Sequence, residues 1–176
     1  EGVATDFKVH TISEKPEEYK SLSTFDVKKD TVHYWFKNYD KDSILLSLNN
    51  KIPLDTVRVR IKSKEIDSMV VSPVITGVLN LRDTLKFTSN TPIAKVDTSK
   101  IQLLDKDSIK VKLDILISKN KNELVLNFEK KESDKYNLEL LPGAITDFFD
   151  IESDTIVLNF STKKSTDYSA IFLTLN

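Results

Sequence analysis

The stretch Tyr136-Asn137-Leu138-Glu139-Leu140 places an apolar residue at every second position. Side chains alternate between the two faces of a strand, so this pattern describes a β-strand with one buried face. The same period returns on either side. Ile156, Leu158 and Phe160 alternate with Val157 and Asn159, and Leu124, Leu126 and Phe128 alternate with Val125 and Asn127. Upstream, Ile109 to Ile117 alternates with Lys110, Lys112, Asp114 and Leu116, and Val57, Val59 and Ile61 alternate with Arg58 and Arg60. Further strands are expected at 6–10, 19–27, 32–36, 44–48, 78–81, 85–89, 101–104 and 170–175. Only 16–20 and 98–100 offer even a turn of helix, because no long window keeps apolar residues at i, i+3 and i+4.

The punctuation between strands is equally regular. Asp followed by Ser or Thr and then an apolar residue occurs at Asp30, Asp42, Asp55, Asp67, Asp83, Asp107 and Asp154, and Asp97-Thr98 opens a variant. Asp accepts hydrogen bonds from nearby backbone N–H groups and favours a turn, after which Thr or Ser opens a strand. Asn and Asp do turn work that Gly usually does, since the chain has 3 Gly in 176 residues against an ordinary share of roughly 7%. Pro53, Pro73, Pro92 and Pro142 are expected outside central strands. Many short antiparallel strands with these turns describe an all-β chain of sandwiches. A polar stretch at 62–65 divides two strand-dense halves, the second close in size to one sandwich domain.

Composition excludes several chemistries. There is no Cys, so no disulfide, zinc-thiolate site or thiol nucleophile can form. Gly2, Gly77 and Gly143 stand far apart, so no phosphate-cradling loop can be written. A net charge of −1 and only three Arg (Arg58, Arg60, Arg82) argue against a nucleic-acid partner. No apolar run approaches the ~18 residues of a membrane helix. The chain starts at Glu1, without Met or a signal-like segment, and reads as a piece of a longer protein.

Three constellations could carry function. His10 and His33 are the only imidazoles and lack metal-ligand spacing. Tyr34, Trp35 and Phe36 form the densest aromatic group. Core packing is the plainer reading for them, and a glycan- or partner-binding face is the functional one. The loop from Thr146 to Asp154 carries Asp147, Asp150, Glu152 and Asp154, the only calcium candidates, interrupted by Phe148, Phe149 and Ile151. The aromatic pair is expected to plug the end of a sandwich. Lysine pairs such as Lys130-Lys131 alternate with acids and read as solvated turns. No catalytic residue and no cofactor is expected.

A resemblance sharpens this. Leu81-Arg82-Asp83-Thr84-Leu85-Lys86-Phe87-Thr88-Ser89-Asn90-Thr91-Pro92-Ile93, then Val96-Asp97-Thr98-Ser99-Lys100-Ile101, then Leu141-Pro142-Gly143-Ala144-Ile145-Thr146-Asp147, resembles the bacterial Ig-like domain of S-layer type. Such domains occur in outer-membrane-anchored lipoproteins of Bacteroidota. The likeness covers about 67–164, and departs where relatives carry Gly-Asn after the aromatic pair and this chain has Asp150-Ile151. Residues 30–61 look like the preceding sandwich of those proteins. The resemblance implies tandem immunoglobulin-like antiparallel β-sandwiches. The first spans 1–66 and lacks early strands, the second spans 67–164, and 165–176 is a linker entering a further domain. It also implies a non-enzymatic scaffold or interaction module, at the cell surface or in the periplasm. Its expected partners are other cell-envelope proteins of an outer-membrane complex, and its only membrane link is an unseen upstream lipid anchor. A carbohydrate-binding or adhesion module is the alternative expectation.

Overall fold

Period-two segments become strands, and Asp, Asn and Ser residues turn the chain between them. The computed structural model describes residues 8–26, 31–50, 52–62 and 68–168, and the chain divides into two units, Glu1–Asp67 and Ser68–Asn176. Both are all-β, built from small, almost wholly antiparallel sheets of the general β-sandwich type.

The first unit holds β1 (Lys8–Thr11), β2 (Lys20–Asp26), β3 (Thr31–Lys37), β4 (Ser43–Asn50) and β5 (Ile52–Arg60). β1, β4 and β5 form one sheet with β4 in the middle, and β2 pairs with β3 in another. Register aligns Val9 with Leu48, Thr11 with Leu46, Ile44 with Val59 and Leu46 with Val57, so these residues share a face. That face meets Tyr34 and Val32 of β3 across an apolar recess of about 200 Å3. The burial is partial: Ile44 is 1% exposed, whereas Val57 and Val59 keep about 40% of their surface (39% and 42%).

The second unit is more fully packed. Its strands are β6 (Val71–Pro73), β7 (Gly77–Leu79), β8 (Leu85–Ser89), β9 (Ile93–Val96), β10 (Ile101–Asp105), β11 (Asp114–Ile117), β12 (Glu123–Asn127), β13 (Lys135–Leu140), β14 (Ile145–Asp147) and β15 (Ile156–Thr162). One sheet runs β10-β13-β15-β7, a second runs β11-β12-β8-β6, and β14 pairs with β9. All pairings are antiparallel except β15 with β7. Leu103, Leu138 and Leu158 lie side by side on the inner face of the first sheet, and Phe87 and Leu124 on that of the second. Removing each such side chain from water stabilises the unit by about 1.5–3 kcal/mol. Phe128, Tyr136 and Phe160 stack at one end with centroids 5.1–6.0 Å apart, and the Tyr136 hydroxyl accepts the Lys131 N–H at 2.9 Å.

Pro53 and Pro73 lie in strands, β5 and β6, but both strands are sheet edges, so these prolines stay outside central strands as expected. Other expectations need correction. The expected strand 109–117 begins only at Asp114. Before that, Val111 N donates to Leu103 O at 2.8 Å and Lys110 bridges Leu104, so the chain leaves the edge of β10 and crosses to the other sheet. The short β6, β9 and β14 were not expected. Asp55-Thr56 sits within β5 rather than in a turn, its carboxylate bonding Thr56 N at 2.7 Å. After β15 the chain forms a single 3-10 turn, Ser165–Asp167, and Leu81 N donates to the Tyr168 hydroxyl at 2.8 Å, joining 165–168 to the second unit, while the rest of the expected linker, 169–176, lies outside the described residues. The expected strand at 170–175, part of that at 6–10, Asp30, Asp67 and the polar residues 63–65 lie outside the described residues.

Candidate functional site

β3 sorts its aromatic residues onto opposite faces. Tyr34 and Phe36 point toward the apolar recess, and His33 and Trp35 point the other way. On the inner side the hydroxyls of Thr11, Tyr19 and Tyr34 form a closed triangle with edges of 2.6–2.8 Å. Burial, opposed in part by the Thr11 bond, pushes the Tyr19 phenol up to about 12. Phe36 and Tyr39 meet edge-on at 6.0 Å, and so do Tyr19 and Tyr39 at 5.7 Å. On the outer side the His33 and Trp35 rings stack at 6.2 Å and Trp35 Nε1 donates to Thr24 Oγ1 at 3.3 Å. Trp35 is therefore a half-buried residue of an outer face rather than the anchor of a sandwich core.

The four acids of the 147–154 loop do different work. Asp147 is fully buried, and its Oδ1 accepts the N–H groups of Phe149 at 2.8 Å and Ile151 at 2.9 Å. Asp147 N donates to Ile151 O, Asp150 N donates to Asp147 O, and Asp150 takes a positive φ of 66°. Asp150, Glu152 and Asp154 are exposed. Among the described residues no group of three or more His, Asp or Glu side chains stands close enough to hold a metal ion. Phe148 and Phe149 are half-buried and meet edge-on at 5.3 Å.

The same loop is built a second time. Asp105 Oδ1 accepts Asp107 N at 3.1 Å and Ile109 N at 2.9 Å. Asp105 N donates to Ile109 O, Ser108 N donates to Asp105 O, and Ser108 has a φ of 59°. Asp-x-x-x-Ile with a left-handed fourth residue is thus a recurrent closure of this unit, with the aspartate at its base and not the Asp-Ser pair inside it.

The Ile109 N–H first, then Lys131 Nζ at 3.0 Å, hold the Asp105 carboxyl below its ordinary range. The stabilisation that follows is complete above the unfolded-state value of about 3.9 and is lost as pH falls through the lower folded-state value. Asp97, bonded by Ser99, and Glu132, bonded by Ser165, shift the same way. Urea midpoints measured from pH 6 to pH 3 are expected to fall below about pH 4. Asp105→Asn is expected to be less stable at pH 6 and to show a shallower acid slope. Parallel profiles for the two proteins would contradict the assignment.

The third feature is a strand edge. Among the described residues β11 ends its sheet and pairs only with β12. Leu116 and Ile117 are 52% and 38% exposed there. Between this edge and β10 runs a groove of about 460 Å3, lined by Thr98, Ile101, Lys110, Val111, Lys112, Leu113 and Ile115. Reading 109–117 as a single strand hides the groove, because the sheet crossing that opens it is a tertiary event. The lysines flanking an isoleucine-rich strand are the signal that was present. No family model matches the chain, and no curated protein matches it.

Proposed function

We propose that the chain is a non-enzymatic structural and protein-interaction module of a bacterial cell-envelope lipoprotein, made of tandem Ig-like sandwiches and serving as an accessory scaffold of an outer-membrane complex. The observation that carries this is the pairing of a continuous core with an open edge. Unit two packs its side chains tightly, closes two loops on buried aspartates, and leaves β11 with exposed aliphatics beside a groove. Rigid sandwiches with an available edge recruit partners by strand addition. The resemblance of about 67–164 to bacterial Ig-like domains of envelope lipoproteins points to the compartment. Fractionation of cells making the full-length protein tests it: outer-membrane sedimentation and incorporation of a palmitate label are expected, and a soluble cytoplasmic protein would contradict it.

A second reading has one observation in its favour, the stacked His33–Trp35 pair on the outer face of β3. Such a face suits a sugar ring. Trp35→Ala is expected to leave the first unit folded, because Trp35 lies off the inner face. Loss of glycan-array binding by this variant would support the sugar-binding reading, and an array with no hits for the parent protein would end it.

A further inference from the structure

We propose that the free edge of β11 is a docking site for an extended segment of another protein whose apolar residues alternate with Asp or Glu. This rests on the interaction-module reading and names the partner chemistry at its edge.

The backbone comes first. Ser118 N donates to Glu123 O at 2.9 Å. Antiparallel ladders alternate, so the hydrogen-bonded pairs continuing from it are Leu116 with Val125 and Asp114 with Asn127. The N–H and C=O groups of Ile115 and Ile117 consequently point away from β12, toward the open side. A row of outward donors and acceptors is a template for one more strand.

Side chains then fix what that strand must carry. Val111, Leu113 and Ile115 are half-buried, while Lys112, Asp114 and Leu116 are exposed. Leu113 and Ile115 line the groove, with Ile101 across it, so apolar side chains of an added strand fit on that face. The exposed alternate row is Lys110, Lys112, Asp114 and Leu116, basic at its start, where Lys110 and Lys112 also border the groove. Residues 106–121 contain five lysines (Lys106, Lys110, Lys112, Lys119, Lys121) against two acids (Asp107, Asp114), in a chain whose net charge is −1. Charge complementarity selects acidic residues in a segment long enough to reach the lysines at both ends of the edge.

The same lysines exclude a second copy of this chain. Antiparallel pairing of two β11 edges lays the Lys110–Lys112 end of one copy against the Lys119–Lys121 end of the other. Like charges placed opposite each other are destabilising, and lysines beside an edge are a common guard against self-pairing.

The test uses the isotope-labelled chain and a capped octapeptide of alternating Val and Glu. Shifts centred on Ile115 and Ile117, and at least tenfold slower amide exchange at those residues, are expected. Binding should weaken at least tenfold with Lys110→Glu plus Lys112→Glu, both exposed positions whose folding is checked by the core amides of Leu124 and Leu126. An octapeptide with the same side chains but N-methylated at alternate amides should not bind, which tests strand addition without altering the protein. Equal binding of the methylated peptide, equal binding of a Val–Lys octapeptide, or no binding of the Val–Glu octapeptide overturns the proposal. Co-purification of the full-length protein from envelopes separates this from the wider reading. A chain that ignores the peptides yet retains an envelope partner overturns the edge alone. One that binds the peptides yet retains no envelope partner overturns the scaffold role and leaves the edge standing.

Discussion

Phe87→Ala is expected to destabilise the second unit by about 3–5 kcal/mol. Phe87 is 0% exposed and lies mid-strand in β8, which is flanked on both sides by β12 and β6. Leu124 sits opposite it on one neighbour and Pro73 on the other. Neither flank can move inward without disrupting its own ladder, so the deleted ring leaves a cavity, and the cost of the cavity adds to the lost transfer energy. Near the transition each kcal/mol is worth roughly 4–8 °C in a domain of this size, so the midpoint should drop by more than about 12 °C. Thr88→Ala, one residue on and exposed, should stay within about 0.5 kcal/mol. Hydrogen exchange at Leu124 and Leu138 reports on this unit directly, whereas fluorescence of the single Trp reports on the first. A Phe87→Ala cost under about 1 kcal/mol would mean that β8 does not run through the core.

Asp147 offers the second large effect and a sharper contrast. Asp147→Ala removes the acceptor for two backbone N–H groups, those of Phe149 and Ile151, in a loop closed to water at its base. Each stranded donor costs about 1–3 kcal/mol, so a loss of about 2–6 kcal/mol is expected. Asp147→Asn keeps an oxygen in the Oδ1 position. Oδ2 is buried and has no hydrogen-bond partner among the described residues, so the amide nitrogen that takes its place exchanges an unpaired acceptor for unpaired donors. The Asn variant is therefore expected to cost about 1–2 kcal/mol, less than the Ala variant. Chemical denaturation of the three proteins decides the matter. Equal damage from Asn and Ala would show that the Oδ1 bonds to Phe149 and Ile151 are not what holds the loop.

The long strands of the second unit were legible because their sheets bury one face, and a single buried face writes period two into the chain. β13, β12 and β15 are read this way from Tyr136-Leu138-Leu140 and its neighbours. β6, β9 and β14 were not, since three or four residues are too few to display a period and Pro73 reads as a breaker. The 109–113 stretch kept the alternation of a strand while serving as a crossing, because alternate burial also suits a chain running along a groove. The Asp-Ser and Asp-Thr pairs mark where the chain turns but not which residue anchors the turn. In Asp105-Lys106-Asp107-Ser108-Ile109 the buried aspartate at the start captures the turn, and Asp107 only donates its N–H to it. Asp147-Phe148-Phe149-Asp150-Ile151 has the same spacing, and a comparison of the two segments would have exposed the loop. The faces of β3 follow from alternation alone. Which face is inward does not, because that depends on where the β1-β4-β5 sheet lies.

The protein-interaction role is tested most directly by purifying the full-length protein at native abundance from gently solubilised envelopes and measuring the mass and composition of what elutes. The expected result is a complex of fixed stoichiometry containing at least one outer-membrane protein. A monomer that elutes alone from intact envelopes, with no envelope protein at comparable abundance, would contradict it.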